Sequence, residues 1–195
     1  MSDTIGFYDE NAEDFFRRSV DADMARGHAD FTARLPPGGR ILDAGCGSGR
    51  DSLAFARLGF GVTPIEASPK LAALAISHTG LPVEVTTFDQ IAWRETFDGV
   101  WACASLLHVP RGELASAVIR LRDALVSGGI LWMSFKYGAQ ERFANGRHFT
   151  DLDEAGAEVL LAEVGGLSAI SLTVTGDARP DRSSERWLSV LCRKL

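Results

Sequence analysis

A glycine-rich turn between an apolar run and a helical pattern is the feature that most constrains how this chain folds. Residues 41–44 read Ile-Leu-Asp-Ala, residues 45–49 have glycine at every second position, and an apolar helical pattern follows from Leu53. An apolar run that stops at such glycines predicts a strand, a tight turn and a helix. Because glycine permits positive φ angles and close approach to the backbone, we expect the turn to hold a ligand where the helix begins.

The spacing of these glycines separates two kinds of glycine-rich turn. The dinucleotide fingerprint is Gly-x-Gly-x-x-Gly, but here Gly49 comes one residue early and Arg50 stands in the place of the third glycine. Asp43 adds a carboxylate two residues before the first glycine. A negative charge there disfavours a pyrophosphate and suits a ligand that carries an ammonium and a sulfonium group.

Residues 43–49 match the first motif of the class I S-adenosylmethionine-dependent methyltransferases, Asp/Glu-x-Gly-x-Gly-x-Gly, and the chain resembles that family over residues 37–135. The resemblance implies an α/β, Rossmann-like, doubly wound fold. Its seven-stranded, mostly parallel sheet has the order 3-2-1-4-5-7-6, with the last strand antiparallel, and lies between helices. Alternating strand and helix patterns favour the same layout independently. S-adenosylmethionine is the implied cofactor.

The expected cofactor contacts lie where the first four strands end. Glu66 follows the second strand, twenty-one residues after Gly45, and is expected to accept both ribose hydroxyls. The resemblance implies that Asp89 accepts from the adenine amino group with Ile91 against the ring, although a loop-capping role for Asp89 stays open. The expected contacts are Asp43, Gly45, Cys46, Gly47, Gly49, Glu66, Ala67, Asp89, Gln90, Ile91, Cys103 and Ala104.

His108 and Tyr8 are the candidate catalytic residues. Residues 97–110 resemble the family's Phe-Asp-x-Val-x-x-x-x-x-Leu-His-His-x-Pro stretch, with Leu107 replacing one histidine. The resemblance puts His108 on the substrate side of the methyl group, as a general base for an acceptor that must lose a proton. A structural, hydrogen-bonded histidine is an equally open interpretation. Tyr8 lies in a segment that commonly closes over the cofactor in this family, and we expect it to face the active site.

The patterns outside the motifs predict the flanking elements. Apolar residues at every fourth position predict a helix from about residue 11 that Gly27 interrupts. This helix is expected within an N-terminal lid over residues 1–35. A helix that only packs on the sheet, without closing over the cofactor, stays an open alternative. Pro64 predicts a second strand that bulges or ends there. Further strands are expected over residues 83–87, 130–135, 169–174 and 187–192. Two connecting loops carry Arg142, Arg147, Arg179 and Arg182, and the role of these arginines stays open between binding an anionic substrate and solvation.

Composition limits the classes of function. The net charge of -6 and the pI near 5.2 argue against binding of nucleic acid or an anionic membrane surface. The length of 195 residues predicts one domain over 1–195. The resemblance implies a helical lid over 1–35 and a Rossmann-like core over 37–195. The three cysteines have no metal-binding spacing, and their odd count suits a reducing cytosol. Because the sequence has no signal peptide and no membrane span, we predict a cytoplasmic protein. We predict no bound metal.

The predicted function is S-adenosylmethionine-dependent methyl transfer to a small-molecule acceptor, because almost nothing is appended to the core. The layout is similar to that of small free-standing bacterial enzymes such as the tellurite-resistance methyltransferases. A monomer or homodimer is expected. Three alternatives stay open: a nicotinamide-dependent dehydrogenase, a tRNA or protein methyltransferase, and a non-catalytic cofactor-binding partner subunit. The acceptor atom is not identified by the sequence.

Overall fold

The computed structural model describes residues 2–178 and 184–195. Its strands are β1 (Arg40–Ala44), β2 (Gly61–Glu66), β3 (Glu84–Val85), β4 (Phe97–Ala102), β5 (Leu125–Lys136), β6 (Glu141–Ala144), β7 (Arg147–Thr150), β8 (Leu167–Gly176) and β9 (Arg186–Lys194). Its helices are α1 (Ser2–Glu10), α2 (Ala12–Ser19), α3 (Ala25–Thr32), α4 (Arg50–Arg57), α5 (Pro69–Thr79), α6 (Arg111–Ala124) and α7 (Glu154–Val164). No helix of the described ranges is both long enough and apolar enough to cross a bilayer.

Seven strands form one sheet in the order β3-β2-β1-β4-β5-β9-β8. Strands β1 to β5 pair in parallel, whereas β9 runs antiparallel between β5 and β8. Counted within this sheet, the order is 3-2-1-4-5-7-6, so the predicted fold class and strand order are confirmed. The remaining two strands, β6 and β7, form a separate hairpin.

Alternate residues of β5 pack into two cores on opposite faces of the sheet, as a strand covered on both faces requires. Leu131 and Met133 belong to the larger core, which α6 and α7 cover. Ile130 and Trp132 belong to a smaller core that also holds Phe31 of α3. The lid therefore contributes a buried aromatic side chain to the second face of the sheet.

The lid differs from the predicted helix in where it breaks. The chain leaves the helical conformation between α2 and α3, at residues 20–24, and Gly27 lies inside α3. A Cβ at Gly27 would lie 3.1 Å from Cη2 of Trp101. This glycine therefore permits α3 to approach the sheet closely, and the prediction that it interrupts the helix is wrong.

Pro64 lies inside β2 without a bulge, so the predicted irregularity is also wrong. The carbonyl of Ile65 accepts hydrogen bonds from the β1 side, whereas the carbonyl of Glu66 accepts from Thr86 beside β3. Because main-chain groups of a parallel strand face alternate neighbours, Pro64 faces the β3 side. Strand β3 begins only at Glu84, opposite Ile65, so no ladder bond is lost at the proline.

The segment after β5 was predicted as a loop, but β6 and β7 form an antiparallel hairpin there. Asn145 and Gly146 at its tip have φ angles of 50° and 75°. Positive φ at both central residues is typical of the type I′ turn that Asn-Gly favours. Arg142 and Arg147 therefore lie on paired strands, whereas Arg179 and Arg182 lie outside the described residues.

Candidate active site

A cavity of about 470 Å³ lies at the carboxyl ends of the parallel strands. Its walls come from the glycine turn after β1, the end of β2, the loop after β4, the lid, the hairpin and the exposed face of β8 and β9. In open α/β sheets this edge is where ligands bind. Several parts of the chain that are distant in sequence therefore face one cavity.

The glycine turn forms one wall of the cavity and is held by backbone hydrogen bonds. The Gly45 and Cys46 amides donate to the carbonyl of Ile65 at 3.0 and 2.9 Å. Gly45 has φ 84°, and a Cβ there would lie 2.5 Å from Cβ of Ser105. The position therefore requires glycine both for its backbone conformation and for the close packing of the two loops.

The third glycine of the motif has a different role from the first two. Gly49 does not line the cavity; it is the N-cap of α4, with φ 77°. A Cβ there would lie 2.6 Å from Cγ2 of Thr79, on the neighbouring helix α5. At Gly49 the structure therefore shows close packing of α4 against α5, away from the cavity lining.

Glu66 ends β2 inside the cavity, with Ala67 beside it. Its carboxylate accepts from the Gly47 amide at 2.9 Å and from the Ser68 amide at 3.0 Å. Burial raises the pKa of Glu66, and these two amide hydrogen bonds act in the opposite direction. The carboxylate is thus fixed in orientation beside the glycine turn, where it can accept hydrogen bonds from a ligand.

Asp43 was expected to contact the ligand, but it lies beneath the glycine turn and does not line the cavity. Only 1% of its surface is exposed, and Oγ of Ser52 donates to its carboxylate at 2.5 Å. Burial, together with the nearby Asp51, raises the pKa of Asp43 to about 8. The Asp43 carboxyl is therefore separated from the cavity by the glycine turn.

Asp51 is an acid that lines the cavity on this side, and it is not among the residues predicted from the sequence. Its carboxylate accepts two hydrogen bonds from Arg50, at 2.8 and 2.7 Å, one from Nε1 of Trp101 at 2.9 Å and one from Nε2 of His28 at 2.8 Å. Burial alone would raise the pKa of Asp51, but Arg50 and His28 hold it below its usual value. The adjacent Arg50-Asp51 pair, at the start of an amphipathic helix, was the available signal.

On the expected adenine side, the residues that line the cavity differ from the predicted ones. Residues 88–90 form a short 3-10 turn, and the cavity is lined there by Thr86, Thr87 and Phe88. Ile91 is buried in the larger core, so Phe88 takes the position beside the cavity. Asp89 and Gln90 are exposed, and Gln90 accepts from Thr87 as a cap of the turn.

Tyr8 and His108 meet in the cavity, beside Cys103 and Ala104. Nδ1 of His108 lies 2.7 Å from the carbonyl oxygen of His148 and must carry the proton, because a carbonyl only accepts. Burial lowers the pKa of His108 to about 4, and Arg147 acts in the same direction. The neutral ring therefore has its lone pair on Nε2, which accepts from the Tyr8 hydroxyl at 2.7 Å.

The lid is anchored at both ends of the cavity. Asp9 accepts from Oγ of Ser68 at 2.5 Å and from the Lys70 amide at 3.1 Å, which ties α1 to the start of α5. Thr4 accepts from the His148 amide at 3.0 Å, which ties α1 to the hairpin. Tyr8 is thus held between two anchored points of the same helix.

The segment that contains the glycine turn matches a known protein family. Residues 41–129 match the model of a family described as a methyltransferase domain. This segment is therefore similar to a methyltransferase domain. Ubiquinone biosynthesis O-methyltransferase from Xanthomonas axonopodis pv. citri is 38% identical to it over 112 residues, which are 53% of this chain and 46% of that protein. The chain spans about half the length of the curated relatives it matches.

Solved structures extend the similarity in fold to almost the whole chain. The 1,6-didemethyltoxoflavin-N1-methyltransferase of Burkholderia thailandensis, solved with 1,6-didemethyltoxoflavin and S-adenosylhomocysteine, has a TM-score of 0.78 at 22% identity and covers 96% of this chain and 84% of its own. The cyclase SpnF has a TM-score of 0.71 at 19% identity, with 97% and 94% covered. At these identities the likeness shows the fold alone. The predicted resemblance to class I S-adenosylmethionine-dependent methyltransferases is confirmed by the family match and the shared fold together.

Proposed function

We propose that this chain is an S-adenosylmethionine-dependent methyltransferase that methylates a hydroxyl oxygen of a small-molecule acceptor. The observation that carries the proposal is the neutral imidazole of His108, which accepts from Tyr8 in the same cavity as the glycine turn and Glu66. The O-methyltransferase relatives support oxygen as the acceptor atom. The 1,6-didemethyltoxoflavin bound to the N1-methyltransferase of Burkholderia thailandensis supports a small molecule as the substrate.

The residues around the glycine turn fit S-adenosylmethionine. The buried Glu66 carboxylate would hold the ribose hydroxyls, and Phe88 would lie against the adenine. Arg50 and Asp51 present both signs of charge for the carboxylate and ammonium of the methionine part. When bound, the cofactor supplies a methyl group already activated by positive sulfur. The chain's own task is then mainly alignment and electrostatic stabilisation.

His108 supplies the base that a hydroxyl acceptor needs. A proton leaves the acceptor hydroxyl for Oη of Tyr8 as the Tyr8 proton passes to Nε2 of His108. The carbonyl of His148 stays bonded to Nδ1 and stabilises the resulting imidazolium. The lowered pKa of about 4 leaves the imidazole unprotonated, with Nε2 free to accept a proton, across the physiological pH range.

Residues 1–195 act as one domain in this proposal, with the lid over 1–35 and the core over 37–195. Thr4, Asp9 and Tyr8 of the lid contact the hairpin, α5 and the loop after β4, respectively. These contacts enclose the acceptor side of the cavity, which favours a small molecule over a macromolecular substrate.

Calorimetric titration with S-adenosylmethionine, S-adenosylhomocysteine and NADH tests the cofactor. We expect both sulfur ligands to bind, and Glu66→Ala to weaken them about 10- to 100-fold through loss of charge-assisted hydrogen bonds. Glu84→Ala is the matched control, because Glu84 is an exposed acid at the start of β3 outside the cavity. Binding of NADH instead would support the dehydrogenase alternative.

Transfer of an isotopically labelled methyl group to a panel of phenols, catechols and aliphatic alcohols tests the reaction. Turnover with a hydroxyl compound supports the proposal, and turnover only with amines or thiols contradicts its acceptor atom. Tight cofactor binding with no transfer, together with co-purification of a second chain, would support the partner-subunit alternative. Activity on tRNA or protein that salt suppresses would support a macromolecular substrate.

A further inference from the structure

An arginine that has no acidic partner among the described residues faces the acceptor side of the cavity. Arg147 begins β7, and its guanidinium carbon lies 4.5 Å from the ring centre of Phe7, 5.1 Å from that of Phe149 and 5.8 Å from that of Tyr8. Its Nε is buried and has no hydrogen-bond partner within residues 2–178 and 184–195. Burying an unpaired N–H of a charged group costs free energy. The guanidinium of Arg147 therefore favours a ligand that can accept hydrogen bonds.

The neighbouring cations differ from Arg147 because each already has an acid. Arg142, on the other strand of the hairpin, pairs with Asp151. Lys136, at the end of β5, pairs with Glu185 at 2.5 Å. In the part of the chain that the structure describes, the charge of Arg147 is balanced by aromatic faces alone. Its positive charge is therefore available to a ligand in the cavity.

The floor of this half of the cavity offers room and polarity for the body of an acceptor. Side chains that lie abreast on β5, β9 and β8 form two rows across the sheet. The first row is Ser134, Ser189 and Thr173, and the second is Lys136, Trp187 and Thr175. Hydroxyl groups and an indole face thus lie next to each other, beside the Tyr8–His108 pair. Asp177, which also lines the cavity, accepts from Nε1 of Trp187 at 2.9 Å.

We propose that the acceptor carries an anionic oxygen group, a carboxylate or a phosphate ester, that Arg147 binds while the acceptor hydroxyl lies at Tyr8. The guanidinium and the Tyr8 ring are 5.8 Å apart, so one small molecule spans both. A planar guanidinium matches either anion with paired hydrogen bonds. This inference rests on the proposed function, because it assigns the substrate class of the same site.

Binding to the protein saturated with S-adenosylhomocysteine tests the anion without requiring turnover. The probes are 3-hydroxybenzoate, 3-hydroxyphenyl phosphate and the neutral 3-hydroxybenzamide, followed by tryptophan fluorescence, since Trp132 and Trp187 line the cavity. We expect at least one anion to bind about tenfold more tightly than the amide, as a charge-assisted pair predicts. The carboxylate and phosphate arms then distinguish the two kinds of anion.

The variants separate charge from packing. Arg147→Gln is expected to bring the affinity for the anions to within about twofold of that for the amide, and Arg147→Lys to keep part of the preference. Arg186→Gln is the matched control, because Arg186 also stacks on an aromatic ring, 4.4 Å from the centre of Tyr137, but does not line the cavity. Equal binding of all three probes by the wild type, or an equal loss for all three in Arg147→Gln, would overturn the proposal.

Cofactor affinity distinguishes this proposal from the one on which it rests. Arg147→Gln should bind S-adenosylhomocysteine as the wild type does, because Arg147 contacts the lid and hairpin and not the glycine turn. If the wild type fails to bind S-adenosylhomocysteine, the proposed function fails. The anion preference is then measured on the ligand-free protein, where its absence overturns the present proposal separately.

Discussion

The two halves of the cavity are built by different means. In the cofactor half, the Gly47 amide and the Glu66 carboxylate that it contacts are 19 residues apart along the chain. In the acceptor half, Tyr8 and His108 are 100 residues apart, and Thr4 and His148 are 144 apart. The first half therefore forms within neighbouring strand–turn units, whereas the second forms only when the lid, the loop after β4 and the hairpin assemble.

This difference implies that the two halves can be damaged separately. The glycine turn and the Glu66 carboxylate that its amide contacts anchor the cofactor half, so its weak point is the geometry of a turn. Side chains from three distant segments define the acceptor half, so single side-chain changes there leave the sheet intact. Cofactor affinity and methyl-transfer rate should then respond to different substitutions.

Gly45→Ala is expected to have the largest effect, because it disturbs the turn itself. The new Cβ would lie 2.5 Å from Cβ of Ser105 at a φ of 84°. Backbone strain and the steric clash together should lower the free energy of unfolding by about 3 kcal/mol and abolish cofactor binding. Denaturant unfolding measures the loss of stability.

Gly59→Ala is the matched control for that experiment. Gly59 has φ 89°, but a Cβ there would meet no atom within 4 Å. Only the strain remains, so a loss of about 1 kcal/mol is expected. Equal losses for the two variants would contradict the close packing of the glycine turn on the loop after β4.

His108→Ala should break the acceptor half and leave the cofactor half intact. Loss of a general base lowers kcat by about 100-fold or more, and Tyr8→Phe should lower it less, by about tenfold, if His108 can still reach the acceptor. Single-turnover kinetics measures the methyl-transfer rate, and calorimetry on the same samples measures cofactor affinity. His78→Ala is the control, because His78 packs against Phe16 outside the cavity. Unchanged turnover in His108→Ala would leave that histidine with a structural role only.

The protonation of His108 gives a more modest, pH-dependent effect. Burial lowers its pKa from the usual 6.5 to about 4. Between these values the unfolded chain binds the proton and the folded chain does not, so stability falls as the pH is lowered from 6.5 towards 4. NMR titration of the imidazole should show a midpoint near 4, and the stability of His108→Gln should depend less on pH in this window. A midpoint near 6.5 would contradict a buried neutral ring.

The cofactor half of the cavity could be predicted from the sequence better than the acceptor half. The strand–turn–helix at residues 41–57 and the acid Glu66 could be predicted because local glycine chemistry and strand ends determine them. The hairpin was missed although Asn145-Gly146 is a typical turn signal, because the arginines around it suggested a loop. The partnership of Arg147 with Phe7 and Phe149 depends on the assembled lid, and no local pattern encodes it. For Asp51 the adjacent Arg50 is a local signal, but its other partners, His28 and Trp101, are 23 and 50 residues away.

Asp43→Asn should have the smallest effect and sharpens the comparison most. The motif suggests a charge that attracts the sulfonium, but the carboxyl is buried beneath the turn, bonds to Ser52, and has a pKa raised to about 8. A group that is largely neutral at pH 7 loses little charge when it becomes an amide, and Asn can still accept from Ser52. Calorimetry should therefore find the affinity for S-adenosylmethionine changed by less than about threefold. A loss as large as that of Glu66→Ala would mean that Asp43 is ionised and that charge, in addition to turn geometry, defines the cofactor half.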